Sequence, residues 1–125
     1  MNRVVMESWL LLLRFEVIMM LQNSRALRTA VQRQRVRYPA RDEGMTLEML
    51  NHAMDLACVF YFKQVRCLQR SVATSVLLKK HGWPAELVTG AQILPFDAHA
   101  WVEVANVVVN DKPYMREIYM VMERC

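Results

Sequence analysis

The hydrophobic rhythm of this chain changes once, at Gly82-Trp83-Pro84, and that change limits the folds open to it. Ahead of that point apolar residues recur at helical spacing. Leu47, Leu50, Met54, Ala57, Cys58 and Tyr61 follow Thr46, a residue suited to capping a helix start. A further helix is predicted from Cys67 to Lys80, with cationic side chains in its last turn and Gly82 just past its end. Beyond Pro84 the pattern turns to short runs that predict strands over 86–89, 98–104, 107–111 and 117–122. Helices followed by an antiparallel meander make an α+β domain.

The N-terminal part predicts one helix from about residue 6 into an arginine-rich stretch, stopped at Tyr38-Pro39 because a residue before proline avoids helical geometry. Glu7, Arg14 and Glu16 interrupt its apolar run, so neither a membrane span nor a signal peptide fits. Glu7, Arg14, Arg25 and Arg28 fall at offsets that stack them along one side of such a helix. It reads as an amphipathic helix that is buried or binds a partner, with peripheral membrane contact ranked second. At 125 residues there is room for one domain. We divide it into an N-terminal helix and basic segment, 1–45, and a core, 46–125.

The net charge of +4 is concentrated locally. Arg25, Arg28, Arg33, Arg35, Arg37 and Arg41 lie in a segment without an acid until Asp42. Such a face suits an acidic peptide, a nucleic acid or a membrane surface, or is simply solvated. Aromatic residues are not interleaved with the arginines, which puts nucleic acid last. Three cysteines, Cys58, Cys67 and Cys125, are odd in number and lack CxxC spacing, as expected of reduced thiols in a cytoplasm. His52, His81 and His99 form no close ligand pairs with them, so neither a metal nor another cofactor is expected.

Cys67 stands at a predicted helix start between Arg66 and Arg70, where unpaired N–H groups and cations favour a thiolate. The same N–H groups could stabilise an oxyanion. Strand alternation places His99, Trp101 and Glu103 on one face. The alternative for His99 is a core histidine bonded to backbone, and for Trp101 plain packing. A three-residue hairpin loop, Val104-Ala105-Asn106 with Asn106 left-handed, would pair Glu103 with Val107, Trp101 with Val109 and His99 with Asp111. A two-residue loop would separate His99 from Asp111 and ask alanine for a positive φ. The three-residue turn therefore sets a carboxylate across from an imidazole, as a thiol-activating base requires. Trp101, two residues from His99, is a candidate wall of the same cleft.

These residues resemble a known family. Cys67-Leu68-Gln69-Arg70-Ser71, Ala73-Thr74, Leu77-Leu78, Gly82, Pro84-Ala85-Glu86-Leu87-Val88 and Gly90 come in order. Pro95-Phe96, Ala98-His99-Ala100-Trp101-Val102-Glu103 and Val109-Asn110-Asp111 follow. Together they look like the transglutaminase-like leader peptidase of lasso-peptide biosynthesis, over the second half of the chain. The resemblance implies a transglutaminase-like or papain-like cysteine protease core, with Cys67 as nucleophile, His99 as general base and Asp111 orienting it. It implies a precursor (leader–core) peptide as substrate and, for a stand-alone form, a separate RiPP recognition element protein. The lasso cyclase, an ATP-dependent enzyme that closes the freed amine, is a further candidate partner. Arg25, Arg28, Arg33, Arg35 and Arg37 are candidates for docking the leader or the recognition protein. Relatives tend to carry an acid and a glycine where this chain has Ala105-Asn106. An acyl transferase with the same triad and a non-catalytic adaptor are the competing readings.

Overall fold

The computed structural model describes residues 2–36, 46–93 and 95–125. Its elements are α1 (Asn2–Leu21), α2 (Ser24–Arg33), α3 (Leu47–Phe60), α4 (Cys67–Lys80), β1 (Ala85–Gln92), β2 (Asp97–Val104), β3 (Val107–Val108), α5 (Met115–Ile118) and β4 (Met120–Arg124). Helices precede a four-stranded antiparallel sheet, so the α+β class holds.

The helical half differs from expectation at Asn23. Its side-chain oxygen accepts from the Ala26 N–H at 3.2 Å, capping α2 and dividing the expected single helix in two. The stripe of Glu7 and Arg14 therefore does not continue into Arg25 and Arg28. Thr46 caps α3 as its sequence suggests, accepting from the Met49 N–H at 3.1 Å. α4 ends in a left-handed glycine: Gly82 has φ 92°, and the Trp83 N–H reaches back to the Leu78 carbonyl at 2.9 Å. Only a residue without Cβ takes that conformation at no steric cost.

α4 is the central helix, buried through Val72, Ala73, Val76, Leu77 and Leu78 against α1, α2, α3 and the sheet. Each fully buried valine or leucine among these contributes about 1.5–3 kcal/mol. Glu16 of α1 is buried beside it, bonded to Lys63 at 3.0 Å, Gln69 at 3.2 Å and Tyr61 at 3.4 Å. The Lys63 hydrogen bond outweighs the effect of burial and holds the Glu16 carboxyl below its usual range. Among the described residues no helix is long and apolar enough to cross a membrane.

The strand order is β3-β2-β1-β4, so the fourth strand does not extend the meander beside β3 but returns to the far edge, beside β1. One sheet face, with Leu87, Ala100 and Val102, packs on the helices. The other buries Val88, Trp101 and Met115, with Val108, Tyr119 and Val121 around them. Fully buried Glu103 on this face accepts from the Trp101 indole at 2.8 Å and from Arg124 at 2.8 Å. Burial pushes its carboxyl up, but the Arg124 and Trp101 hydrogen bonds and the Arg124 and Arg116 charges prevail and hold it below the ordinary range.

The β2–β3 hairpin corrects the turn expected from sequence. Val104 pairs with Val107 and Glu103 with Val108, so the loop has two residues, Ala105 and Asn106, with φ 51° and 66°. Alanine does accept the positive φ. A two-residue turn of this kind matches the right-handed twist of its strands, and its register turns Val108 to the Trp101 face while Val109 packs on the helical core. The cost is about 1–2 kcal/mol at Ala105. Ala105→Gly should therefore raise unfolding stability by about 0.5–1 kcal/mol after its own entropic penalty, measured as a higher urea midpoint at unchanged slope.

Candidate active site

The chain leaves the sheet just after β3, and this departure builds the site. The Val109 N–H still bonds to the Val102 carbonyl at 2.9 Å. The reciprocal bond is missing: the Val102 N–H donates instead to Asn110 Oδ1 at 2.7 Å, and the Val109 carbonyl accepts from Asn51 of α3 at 2.6 Å. Asn110 Nδ2 also donates to Ser71 Oγ at 3.2 Å, while Ser71 donates to the Ala100 carbonyl at 3.0 Å. In a continued ladder of this register Asp111 would lie opposite Ala100, on the wrong face for His99. Freed from it, Asp111 Oδ2 sits 2.6 Å from His99 Nε2, and its other oxygen accepts from the Lys112 N–H at 2.8 Å. The expected partners meet, but by a break in the ladder and not by direct strand pairing.

Cys67 is the first residue of α4, exposed, with a free thiol. Arg66, the residue before it, supplies no side-chain cap, and the first turn holds no acid. Its unpaired N–H groups are therefore not taken by a side chain of the helix start. Arg70 is paired with Asp55. Ser71 lies one turn along α4 on the same face as Cys67, and its bond to Ala100, the residue after His99, ties that face to the His99 end of β2. Cys58 and Cys125 are half-buried, and burial pushes both thiols up.

Tyr119, just before β4, had no signal in the sequence. Its ring stacks on the His99 imidazole with centroids 5.2 Å apart and planes 27° apart. Its hydroxyl donates to Asp97 Oδ2 at 2.9 Å. That hydrogen bond, then burial and the charges of Asp97, Asp111 and Cys67, push the phenol up. Cys67 and Asp111 are thus both within electrostatic reach of the ring that covers His99. Asn110 and Ser71 were legible only as part of the family-like stretches, with no role attached. Their function depends on three elements meeting.

Other predicted residues are placed as follows. Trp101 is fully buried and its indole is committed to Glu103, so it matches the packing alternative, not a cleft wall. Arg25 and Arg33 line an open groove of about 480 Å³ together with Arg14, Asn23, Thr29 and Gln34. Arg28 is instead paired with Glu123 at 3.1 Å. Arg35 is exposed beyond α2, and Arg37 lies outside the described residues.

Asn110→Ala should cost about 1–3 kcal/mol, because the Val102 N–H then loses its acceptor inside the fold. Urea unfolding measures that loss, and an unchanged midpoint would mean that water or the Val109 carbonyl takes over.

The transglutaminase-like superfamily matches this sequence over residues 9–124. The chain is also similar to the microcin J25-processing protein McjB of Escherichia coli, at 37% identity over 65 residues. That stretch is 50% of this chain but 31% of McjB, so it spans under a third of the relative's own length. No solved structure matches. The family match runs from within α1 to within β4 and takes in Cys67, His99 and Asp111; this chain belongs to the transglutaminase-like superfamily.

Proposed function

We propose that this protein is a cysteine peptidase that removes the leader from a lasso-peptide precursor in the cytoplasm. One observation carries the reading: the 2.6 Å contact between His99 Nε2 and Asp111. With Nε2 so engaged, Nδ1 is the nitrogen left to serve the thiol. The resemblance to a protein whose name states that it processes microcin J25 supports the choice of substrate.

His99 Nδ1 takes the Cys67 proton, and the thiolate attacks the scissile carbonyl carbon. The N–H groups at the start of α4 receive the negative oxygen of the tetrahedral adduct. As the adduct collapses the C–N bond breaks, and the imidazolium gives its proton to the departing amine, which becomes the N-terminus of the core. Water, deprotonated by His99, then attacks the thioester, releasing the leader as a carboxylic acid and restoring the thiol. Asp111 stabilises the imidazolium through both half-reactions and fixes the ring's orientation.

Incubating the precursor with the protein and a recognition partner, then weighing the products, tests this. Cys67→Ala or His99→Ala should each lower cleavage by about 10³-fold or more. A leader released with an added amine in place of water would identify an acyl transferase. Full processing by Cys67→Ala would leave only the adaptor reading.

The groove of Arg14, Arg25 and Arg33 is read here as the docking place for an acidic stretch of the leader or of the recognition protein. None of the three has an ion-pair partner among the described residues. Reversing all three to Glu should raise KM about tenfold in low salt, with kcat held and the difference shrinking as salt is added. An unchanged KM would reduce the groove to a solvated face.

A further inference from the structure

His99 has a second support besides Asp111, and the fold is shaped around it. The Tyr119 ring lies 5.2 Å from the imidazole, and Asp97, two residues before His99 on the same strand, holds the Tyr119 hydroxyl at 2.9 Å. Strand β2 thus carries both the imidazole and the anchor of the ring that covers it. β1 makes room for this arrangement. Gly90 pairs with His99 across the ladder, and a Cβ there would meet Trp101 Cη2 at 2.9 Å, the Met120 carbonyl at 2.9 Å and Tyr119 Cβ at 3.0 Å. The two contacts under 3 Å, with Trp101 and the Met120 main chain, would force the segment that carries Tyr119 or the indole beside it to shift. At the same place the β1–β4 register shifts between Thr89 and Gly90, an irregularity of the kind that re-aims side chains beside active sites.

We propose that Tyr119, anchored by Asp97, is a positioning residue that holds the His99 imidazole in place and favours its protonated form. The inference rests on the peptidase reading for its catalytic meaning. An aromatic face is electron-rich, so a cation stacked on it within about 6 Å is stabilised relative to the neutral ring. Asp111, from the segment after β3, touches His99 directly, and Tyr119 lies on its face; Asp97, Asp111 and Cys67 from α4 are the charged or titratable groups that act on Tyr119. Trp101, 6.1 Å from both rings, contributes no charge, and Glu103 behind it is matched by Arg124 and Arg116. The ring adds to what Asp111 does: the carboxylate acts at Nε2 in the imidazole plane, the phenol on the ring face. Losing Tyr119 leaves the Asp111 contact in place and removes the ring face beside the imidazole.

The test is an NMR titration of the His99 ring in the full chain without substrate, assigned among the three histidines with a His99→Gln variant. Tyr119→Leu should move the His99 midpoint down by about half to one pH unit. Tyr119→Phe, which keeps the ring and loses only the Asp97 anchor, should fall between Leu and native. Far-UV circular dichroism checks that both variants fold. An unshifted Leu variant overturns the proposal, and so does a Phe variant as low as Leu, because the ring face would then do nothing. Precursor cleavage by the native protein, assayed alongside, separates the two readings. Cleavage without a shift sinks only the role of Tyr119. A shift without cleavage sinks only the peptidase reading.

Discussion

The side chain of Asn110 stands where a backbone carbonyl would otherwise close the next rung of the β2–β3 ladder. By accepting from the Val102 N–H and donating to Ser71, it satisfies the edge of β2 while letting the main chain turn away. The contact between His99 and Asp111 follows from that exchange. A continued ladder would be the cheaper local structure, since each backbone group would find its partner without help. It would also send Asp111 to the face opposite His99. The exchange is affordable because every displaced group is taken up: the Asn51 amide donates to the Val109 carbonyl, and Ser71 joins α4 to β2. A buried polar group left unpaired would cost more than the rung is worth.

Two kinds of ionic contact divide the molecule. Glu16 and Glu103 are buried, each held by several donors, and both carboxyls lie below their usual range. They lock α1 to α4 through Gln69, and they fix the sheet's second face by gripping Trp101 and Arg124. The His99–Asp111 pair is only about three-quarters covered, with side-chain exposures of 23% and 27%. Removing one partner of a buried pair would leave an uncompensated charge, whereas the His99–Asp111 pair stays partly open to solvent.

The arginine-rich segment shows how clustering along a chain differs from clustering in space. Arg28 turns to Glu123, at the end of β4, and is part of the fold. Arg25 and Arg33 share a groove with Arg14, which belongs to a different helix and is eleven positions away from the nearest of them in sequence. A basic run in sequence therefore overstates one surface and misses one of its members.

Much of the architecture was legible from residues alone. The 3.6-residue period, the Thr46 cap and the Gly82 terminus are local signals, and α3 and α4 follow them closely. The candidate nucleophile, base and acid were named from a helix start, an alternating strand and a stretch of family-like residues. The division at Asn23 is also local, a capping residue just past the end of the apolar run. What the sequence could not decide was anything that depends on elements distant along the chain being brought together. The two-residue turn at Ala105-Asn106 carries a positive φ at alanine, and its register sets Val108 and Val109 against opposite cores, a packing that local sequence does not record. The place of β4 beside β1, and with it Tyr119 over His99, depends on a strand crossing the sheet, which no local pattern records. Propensity and periodicity act over a few neighbours; the partners of a polar group are selected by every element that can reach it once the chain has closed on itself.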